Sequence, residues 1–128
     1  MTREEKAKQC RPGNNCCQTV LLTYADRMGM TPEQLRQLGS AFGLGMGGMK
    51  GTCGALVGAV AAASMMSPQG MPTGGIARTI VDEFEQMCGA TICGDIKGVT
   101  TGKVLCSCDN CILNAVKIVE RHFGGEEA

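Results

Sequence analysis

One stretch of the chain decides the fold: CGALVGAVAAASMM, residues 53–66. Nearly all of its residues are small and apolar, and only Gly54, Gly58 and Ser64 interrupt it. A bilayer span needs about 18 to 20 apolar residues, so the stretch is too short and we expect no membrane span. A short segment that is apolar all round instead predicts a helix buried among other helices.

Start signals and apolar spacing on both sides of this stretch predict further helices. Asn15 followed by Gln18 has the pattern of a capping box, and Thr31 before Pro32 marks another helix start. The apolar residues of 74–88 recur at helical spacing. The sequence therefore predicts an all-α fold, a small bundle of about five helices. Its irregular Cys-bearing loop covers residues 89–107, which have room for a short strand or two.

Length and charge limit the classes of function. The chain has 128 residues, a size typical of one domain, so we expect a single domain over 1–128. It carries 12 basic and 12 acidic residues, and this balance predicts that it does not bind nucleic acid. The mixed run Arg3-Glu4-Glu5-Lys6 is typical of a solvated helix face.

The cysteine content is the most unusual feature of the composition. Nine cysteines stand in a chain whose first residues, 1–6, are not followed by the apolar core of a signal peptide. We therefore expect a cytoplasmic protein, in which thiols stay reduced and a Cys-rich pattern indicates metal or redox chemistry. An odd number of cysteines also leaves open a homodimer that shares one site.

Three cysteines directly follow a residue that can cap a helix. Cys16 follows Asn15, and the same arrangement places Cys53 after Thr52 and Cys111 after Asn110. The first turn of a helix has free N–H groups and the positive end of the helix dipole, which stabilise a thiolate. These positions predict thiolates that attack disulfides or bind metal.

The densest cluster is Cys106-Ser107-Cys108-Asp109-Asn110-Cys111. It contains one CxxC pair, whereas a zinc ribbon needs two. A c-type haem needs His where the chain has Ile112, and the ferredoxin spacings are absent. Copper remains open because thiolates suit Cu(I). For Cys17 and Cys88, a buried core position is an equally good interpretation.

Several segments together resemble the C_GCAxxG_C_C family, a group of small bacterial and archaeal proteins named for four spaced cysteines and described as redox-active. The CGAxxG element and the glycine run before it carry most of the resemblance, which covers roughly residues 10–120. The resembling segments are residues 15–20, 42–48, 53–59, 93–98 and 111–115.

By position, the resemblance implies that the four family cysteines are Cys16, Cys53, Cys93 and Cys111. A similar domain stands beside haem-binding segments in some cytochromes of anaerobes, so the resemblance also implies iron–sulfur ligation. The chain departs from the family pattern by adding further cysteines, of which two are alternative metal ligands. The alternative ligands are Cys106 and Cys108, and the other additional cysteines are Cys10, Cys17 and Cys88.

Two functions therefore follow. In the first, the cysteine thiolates bind an iron–sulfur cluster or another metal, and the protein transfers electrons to a redox partner protein. In the second, the protein is a metal-free thiol–disulfide oxidoreductase or redox sensor, with Cys53 or Cys16 as the low-pKa nucleophile and a neighbouring cysteine that resolves it. A purely structural domain would not explain nine cysteines in a reducing compartment.

Overall fold

The computed structural model describes residues 1–124 and is helical throughout its regular parts. Within these residues no strand forms, and Thr52 and Ile92 make one isolated antiparallel bridge. A single wide turn covers Gly45–Met49. The helices are α1 Arg3–Cys10, α2 Cys16–Thr23, α3 Ala25–Met28, α4 Pro32–Gly39, α5 Gly54–Met66, α6 Gly74–Cys88, α7 Cys93–Lys97 and α8 Cys108–Phe123.

The all-α prediction is confirmed, but the expected number of about five helices is wrong. With the turn at 45–49, residues 1–124 contain nine helical segments. The helix that starts after the Asn15 cap ends at Thr23, and the next residue, Tyr24, donates a hydrogen bond from its buried hydroxyl to the Val116 carbonyl at 3.0 Å. α3, α7 and the turn have only four or five residues each, which is too short for a periodic apolar pattern.

The small-residue helix α5 lies at the centre of the bundle and packs against α2, α6 and α8. Ala55, Ala59 and Ala62 are fully buried. A Cβ atom at Gly58 would lie 2.9 Å from the Val20 Cβ of α2, so this glycine is needed for the close approach of the two helices. None of the helices in residues 1–124 is both long enough and apolar enough to cross a membrane.

Arg3 anchors the N-terminal helix. The charge pattern predicted a solvated side chain at this position, but the structure buries it. Its side chain is 1% exposed and donates hydrogen bonds to the Thr23 carbonyl at 2.8 Å and to both Asp26 carboxylate oxygens at 2.7 and 3.0 Å. The guanidinium also lies over the Tyr24 ring, 5.0 Å from its centre. Burial of a charge requires such partners, and they fix α1 against the α2–α3 junction.

Asp26→Asn is expected to lower the free energy of unfolding at pH 7 by about 1–2 kcal/mol, since a half-exposed carboxylate is partly screened. The hydrogen bond from Arg3 lowers the pKa of Asp26. The contribution of the Arg3–Asp26 pair to the free energy of unfolding is therefore complete above the unfolded-state pKa of about 3.9. It is lost as the pH falls through the lower folded-state pKa of Asp26. Urea unfolding at pH 7 and at pH 2–3 checks this.

In that experiment, the difference in unfolding free energy between Asp26→Asn and wild type is expected to shrink at low pH. Asp82→Asn is the matched control, because Asp82 is exposed on α6 and should change stability little. Equal unfolding free energies of Asp26→Asn and wild type at pH 7 would contradict the anchoring role of the pair.

Candidate functional site

Four helices begin at one cavity. Cys16, Cys93 and Cys108 are the first residues of α2, α7 and α8, and Cys53 is the residue that precedes α5. All four line a cavity of about 150 Å³, together with Cys111 from the fourth position of α8. The backbone N–H groups of the first turns therefore converge on a group of thiols.

Two of the three predicted caps differ in the structure. Asn15 caps α2 as predicted, in a complete capping box with Gln18. α8 begins earlier than expected because the Ser107 side chain accepts the hydrogen bond from the Asn110 amide at 3.1 Å, so Cys108 rather than Cys111 is its first residue. Cys53 itself, not Thr52, occupies the cap position of α5.

Backbone contacts around the Thr52–Ile92 bridge bring Cys53 and Cys93 together. The Cys53 amide donates to the Thr91 carbonyl at 2.8 Å, and the Cys93 amide donates to the Gly51 carbonyl at 2.9 Å. Two loops far apart in sequence are thus held side by side. Neither loop has an apolar period, so the sequence alone did not predict this pairing.

The glycine-rich turn before Cys53 closes one side of the cavity. Leu44, Met46 and Met49 adopt left-handed backbone conformations although they are not glycines, which costs about 1–2 kcal/mol for each residue. Gly45 is required there, because a Cβ atom would lie 2.5 Å from the Cys93 Cβ. Strain of this kind persists where the surrounding structure holds it, often at functional sites.

Cys53 is the electrostatic centre of the cavity. Its sulfur accepts hydrogen bonds from the Cys111 and Cys16 thiols, and the Ala55 and Leu56 amides of α5 add to this, so that its pKa falls to about 3. The interaction with Cys53 raises the pKa of Cys16 and of Cys111. Among these three cysteines, the thiolate form is therefore most strongly favoured at Cys53.

The comparison with protein families agrees with the arrangement of these thiols. A family model described as "Putative redox-active protein (C_GCAxxG_C_C)" matches residues 14–122. The chain belongs to the C_GCAxxG_C_C family. The predicted resemblance is thus confirmed, whereas no curated protein and no solved structure matches the chain.

The cysteines assigned to the C_GCAxxG_C_C pattern by position all line the cavity. Cys16, Cys53, Cys93 and Cys111 come together there, and Cys108, proposed from the sequence as an alternative ligand, joins them. Cys106 does not line it. The glycines of the CGAxxG element face α2: a Cβ atom at Gly54 would lie 2.5 Å from the Cys16 sulfur.

A second group of thiols adjoins the cavity in this C_GCAxxG_C_C protein. The Sγ atoms of Cys88, Cys106 and Cys111 all lie within 4.8 Å of one another and could hold a metal ion. The contact with Cys111 and the hydrogen bond from the Asn114 side-chain amide lower the pKa of Cys88 to about 7. The sequence could not distinguish a role for Cys88 in a thiol group from a core position on the apolar stripe of α6, because the side chain is buried in both cases.

Two cations offset the negative charge of the cavity. Lys97 lines it, and although burial acts to lower its pKa, the hydrogen bond to Cys108 and electrostatic attraction by the cavity cysteines outweigh burial and raise it. Arg11 also lines the cavity, and its Nε donates to Asp109 at 3.0 Å. The site thus combines soft sulfur ligands, backbone N–H groups and positive charge.

Cys10 and Cys17 do not line the cavity. Cys17 is buried beneath it, and burial raises the pKa of its thiol to about 12. Cys10 is half-buried, in a separate pocket beside Lys6 and Arg36. Cys17 is therefore a core residue. Cys10 lies outside the site, so a substitution of Cys10 is a suitable control for substitutions of the cavity cysteines.

Proposed function

We propose that the protein binds an iron–sulfur cluster in this cavity and passes electrons to a redox partner protein. The observation that carries the proposal is the convergence of five cysteines, at the beginnings of four helices, on one cavity. Thiolates are the usual ligands of such clusters, and hydrogen bonds to sulfur set their reduction potentials.

The spacing of the cavity thiols supports a cluster rather than one ion. Among residues 1–124, only one group of three or more potential ligand side chains has all its ligand atoms within 4.8 Å of one another. Cys111 is the only cavity cysteine in that group. The other four are therefore spread too widely to close around a single metal without movement. The volume of about 150 Å³ also far exceeds the roughly 10–15 Å³ that one water requires.

We assign Cys16, Cys53 and Cys93 as ligands, with either Cys111 or Cys108 as the fourth. The bound cluster would supply one-electron oxidation and reduction. The protein's own groups then have two tasks. The N–H groups at the helix starts stabilise the thiolates, and Lys97 and Arg11 balance their charge at the edge of the cavity.

Anaerobic spectroscopy tests the redox part of the proposal. Protein purified without oxygen is expected to absorb visible light, to bleach when dithionite is added, and to give a low-temperature electron paramagnetic resonance signal after reduction. Colourless protein that shows no change and no signal with dithionite would contradict the proposal.

Lys97→Gln is expected to lower the reduction potential of the bound cluster. A positive charge beside the cavity stabilises the reduced form, which carries one more negative charge, and the substitution removes that charge. A potentiometric titration followed by visible absorbance measures the shift. Lys117→Gln is the matched control, because Lys117 is exposed on α8 and does not line the cavity. A potential unchanged in Lys97→Gln, or lowered equally in both variants, would argue against this role.

The sulfur contacts also favour a second function, metal-free thiol–disulfide exchange. The Cys16 and Cys111 thiols contact Cys53 and lower its pKa, so either could resolve a disulfide formed at Cys53. A disulfide between the Cys53 thiolate and a neighbouring thiol would form with the loss of two electrons and one proton to an oxidant such as diamide. This function predicts metal-free protein that loses titratable thiols in pairs when diamide is added, and that recovers them with dithiothreitol.

A further inference from the structure

The thiol group Cys88, Cys106 and Cys111 lies largely outside the cavity assigned above. Only Cys111 belongs to both, whereas Cys88 ends α6 and Cys106 lies in the loop before α8. The cluster proposal therefore leaves two cysteines next to the site without a role.

The spacing of these three sulfurs suits one small metal ion. All three Sγ atoms lie within 4.8 Å of one another. A metal bonded to three thiolates at about 2.3 Å in a plane would place the sulfurs about 4.0 Å apart. The group thus needs to contract by less than about 1 Å to bind an ion, without a change of fold.

The neighbouring polar group acts as a donor to the sulfurs rather than as a fourth ligand. The Asn114 amide nitrogen lies 3.3 Å from the Cys88 sulfur and 3.8 Å from the Cys106 sulfur. In the described part of the chain, neither histidine nor carboxylate belongs to this group. N–H groups that face ligating sulfurs hold them in place and reduce their negative charge.

We propose that Cys88, Cys106 and Cys111 form a separate three-thiolate site for a soft monovalent cation, of which Cu(I) is the physiological example. Soft sulfur ligands select Cu(I), and three-coordinate binding suits it. Structural zinc, in contrast, takes four ligands, and this group offers three. The inference goes beyond the proposed iron–sulfur function and does not depend on it.

The two sites can coexist because the cavity has one cysteine more than a four-ligand cluster requires. When Cys108 completes the set with Cys16, Cys53 and Cys93, Cys111 is available to Cys88 and Cys106. Cys111 would then connect the two sites, and binding of Cu(I) would favour Cys108 as the cluster ligand.

The test measures Cu(I) affinity in a chain without the cavity ligands. A full-length background carrying Cys16→Ala, Cys53→Ala, Cys93→Ala and Cys108→Ala keeps the three-thiolate group. Anaerobic competition with a chromophoric Cu(I) chelator is expected to show one tightly bound Cu(I) in this background. Adding Cys88→Ala or Cys106→Ala should weaken binding by about 100-fold or more, beyond the 10–100-fold typical of a lost outer-shell contact.

Cys10→Ala in the same background is the control and should leave the affinity unchanged. Equal affinity in the Cys88→Ala, Cys106→Ala and Cys10→Ala chains would overturn the proposal. If the background does not fold by circular dichroism, the same three single substitutions are made in the wild-type chain. There, Cys88→Ala and Cys106→Ala should each bind one Cu(I) fewer than Cys10→Ala, and equal stoichiometry would overturn it. Iron content, measured separately in wild-type protein, reports on the cluster proposal alone.

Discussion

Cys53→Ala is expected to reduce bound iron and sulfide to near background in protein purified without oxygen. Cys53 is the sulfur to which the Cys16 and Cys111 thiols donate, and the amides of α5 also stabilise its thiolate. Its loss removes a ligand and also the charge around which its neighbours are arranged. Iron and acid-labile sulfide per chain, compared with wild type, measure the effect.

The control for this substitution is Cys10→Ala, because Cys10 lies in a separate pocket. It should retain the wild-type content of iron and sulfide. Circular dichroism establishes that both variants fold. A folded Cys53→Ala protein with full iron and sulfide would contradict the central position of this residue.

Gly54→Ala is expected to destabilise the protein by about 1–3 kcal/mol and to lower its iron content. The added Cβ would lie 2.5 Å from the Cys16 sulfur and 2.8 Å from the Phe42 carbonyl oxygen. Neither neighbour is the end of a long flexible side chain, so α2 and α5 must separate and the Cys16 sulfur must move. Thermal unfolding and iron analysis of the same preparation measure both effects.

Gly74→Ala is the matched control, since Gly54 and Gly74 are each the first residue of a helix. No atom lies within 4 Å of a Cβ built at Gly74. This substitution should stabilise the protein slightly, by about 0.4–1 kcal/mol, because it restricts the unfolded chain. Equal melting temperatures for the two variants would show that the close contact at Gly54 is unimportant.

The longer elements of this fold could be predicted because their signals are local. The Asn15–Gln18 capping box forms within one turn of helix and is complete in the structure. The small residues of α5 predict a buried helix without reference to any partner. The stripe over 74–88 predicts α6 with its observed bounds.

The missed features depend on contacts between distant parts of the chain. α7 has five residues and forms where backbone hydrogen bonds join residues 51–53 to 91–93. Ser107 and Asn110 can both cap a helix, and the choice of Ser107 places Cys108 at the cavity. For Cys88, a buried position on a helical stripe describes both a core residue and a thiol beside Cys111, so periodicity could not distinguish them.

The candidate ligands came from local rules and from the family resemblance together. Thiolates favour helix starts, and that rule selected Cys16, Cys53 and Cys111 from the sequence, although two of the three caps were assigned to the wrong residue. The resemblance added Cys93, whose helix is too short to be recognised by pattern. The structure brings all four to one cavity, and their role as cluster ligands remains a prediction.

The most direct test of the iron–sulfur proposal is the content of iron and acid-labile sulfide per chain in protein purified under strict exclusion of oxygen. The account predicts about two or more iron atoms per chain, with an equal amount of sulfide. Protein without iron or sulfide, in which the thiols titrate freely, would contradict it and would favour thiol–disulfide exchange at Cys53.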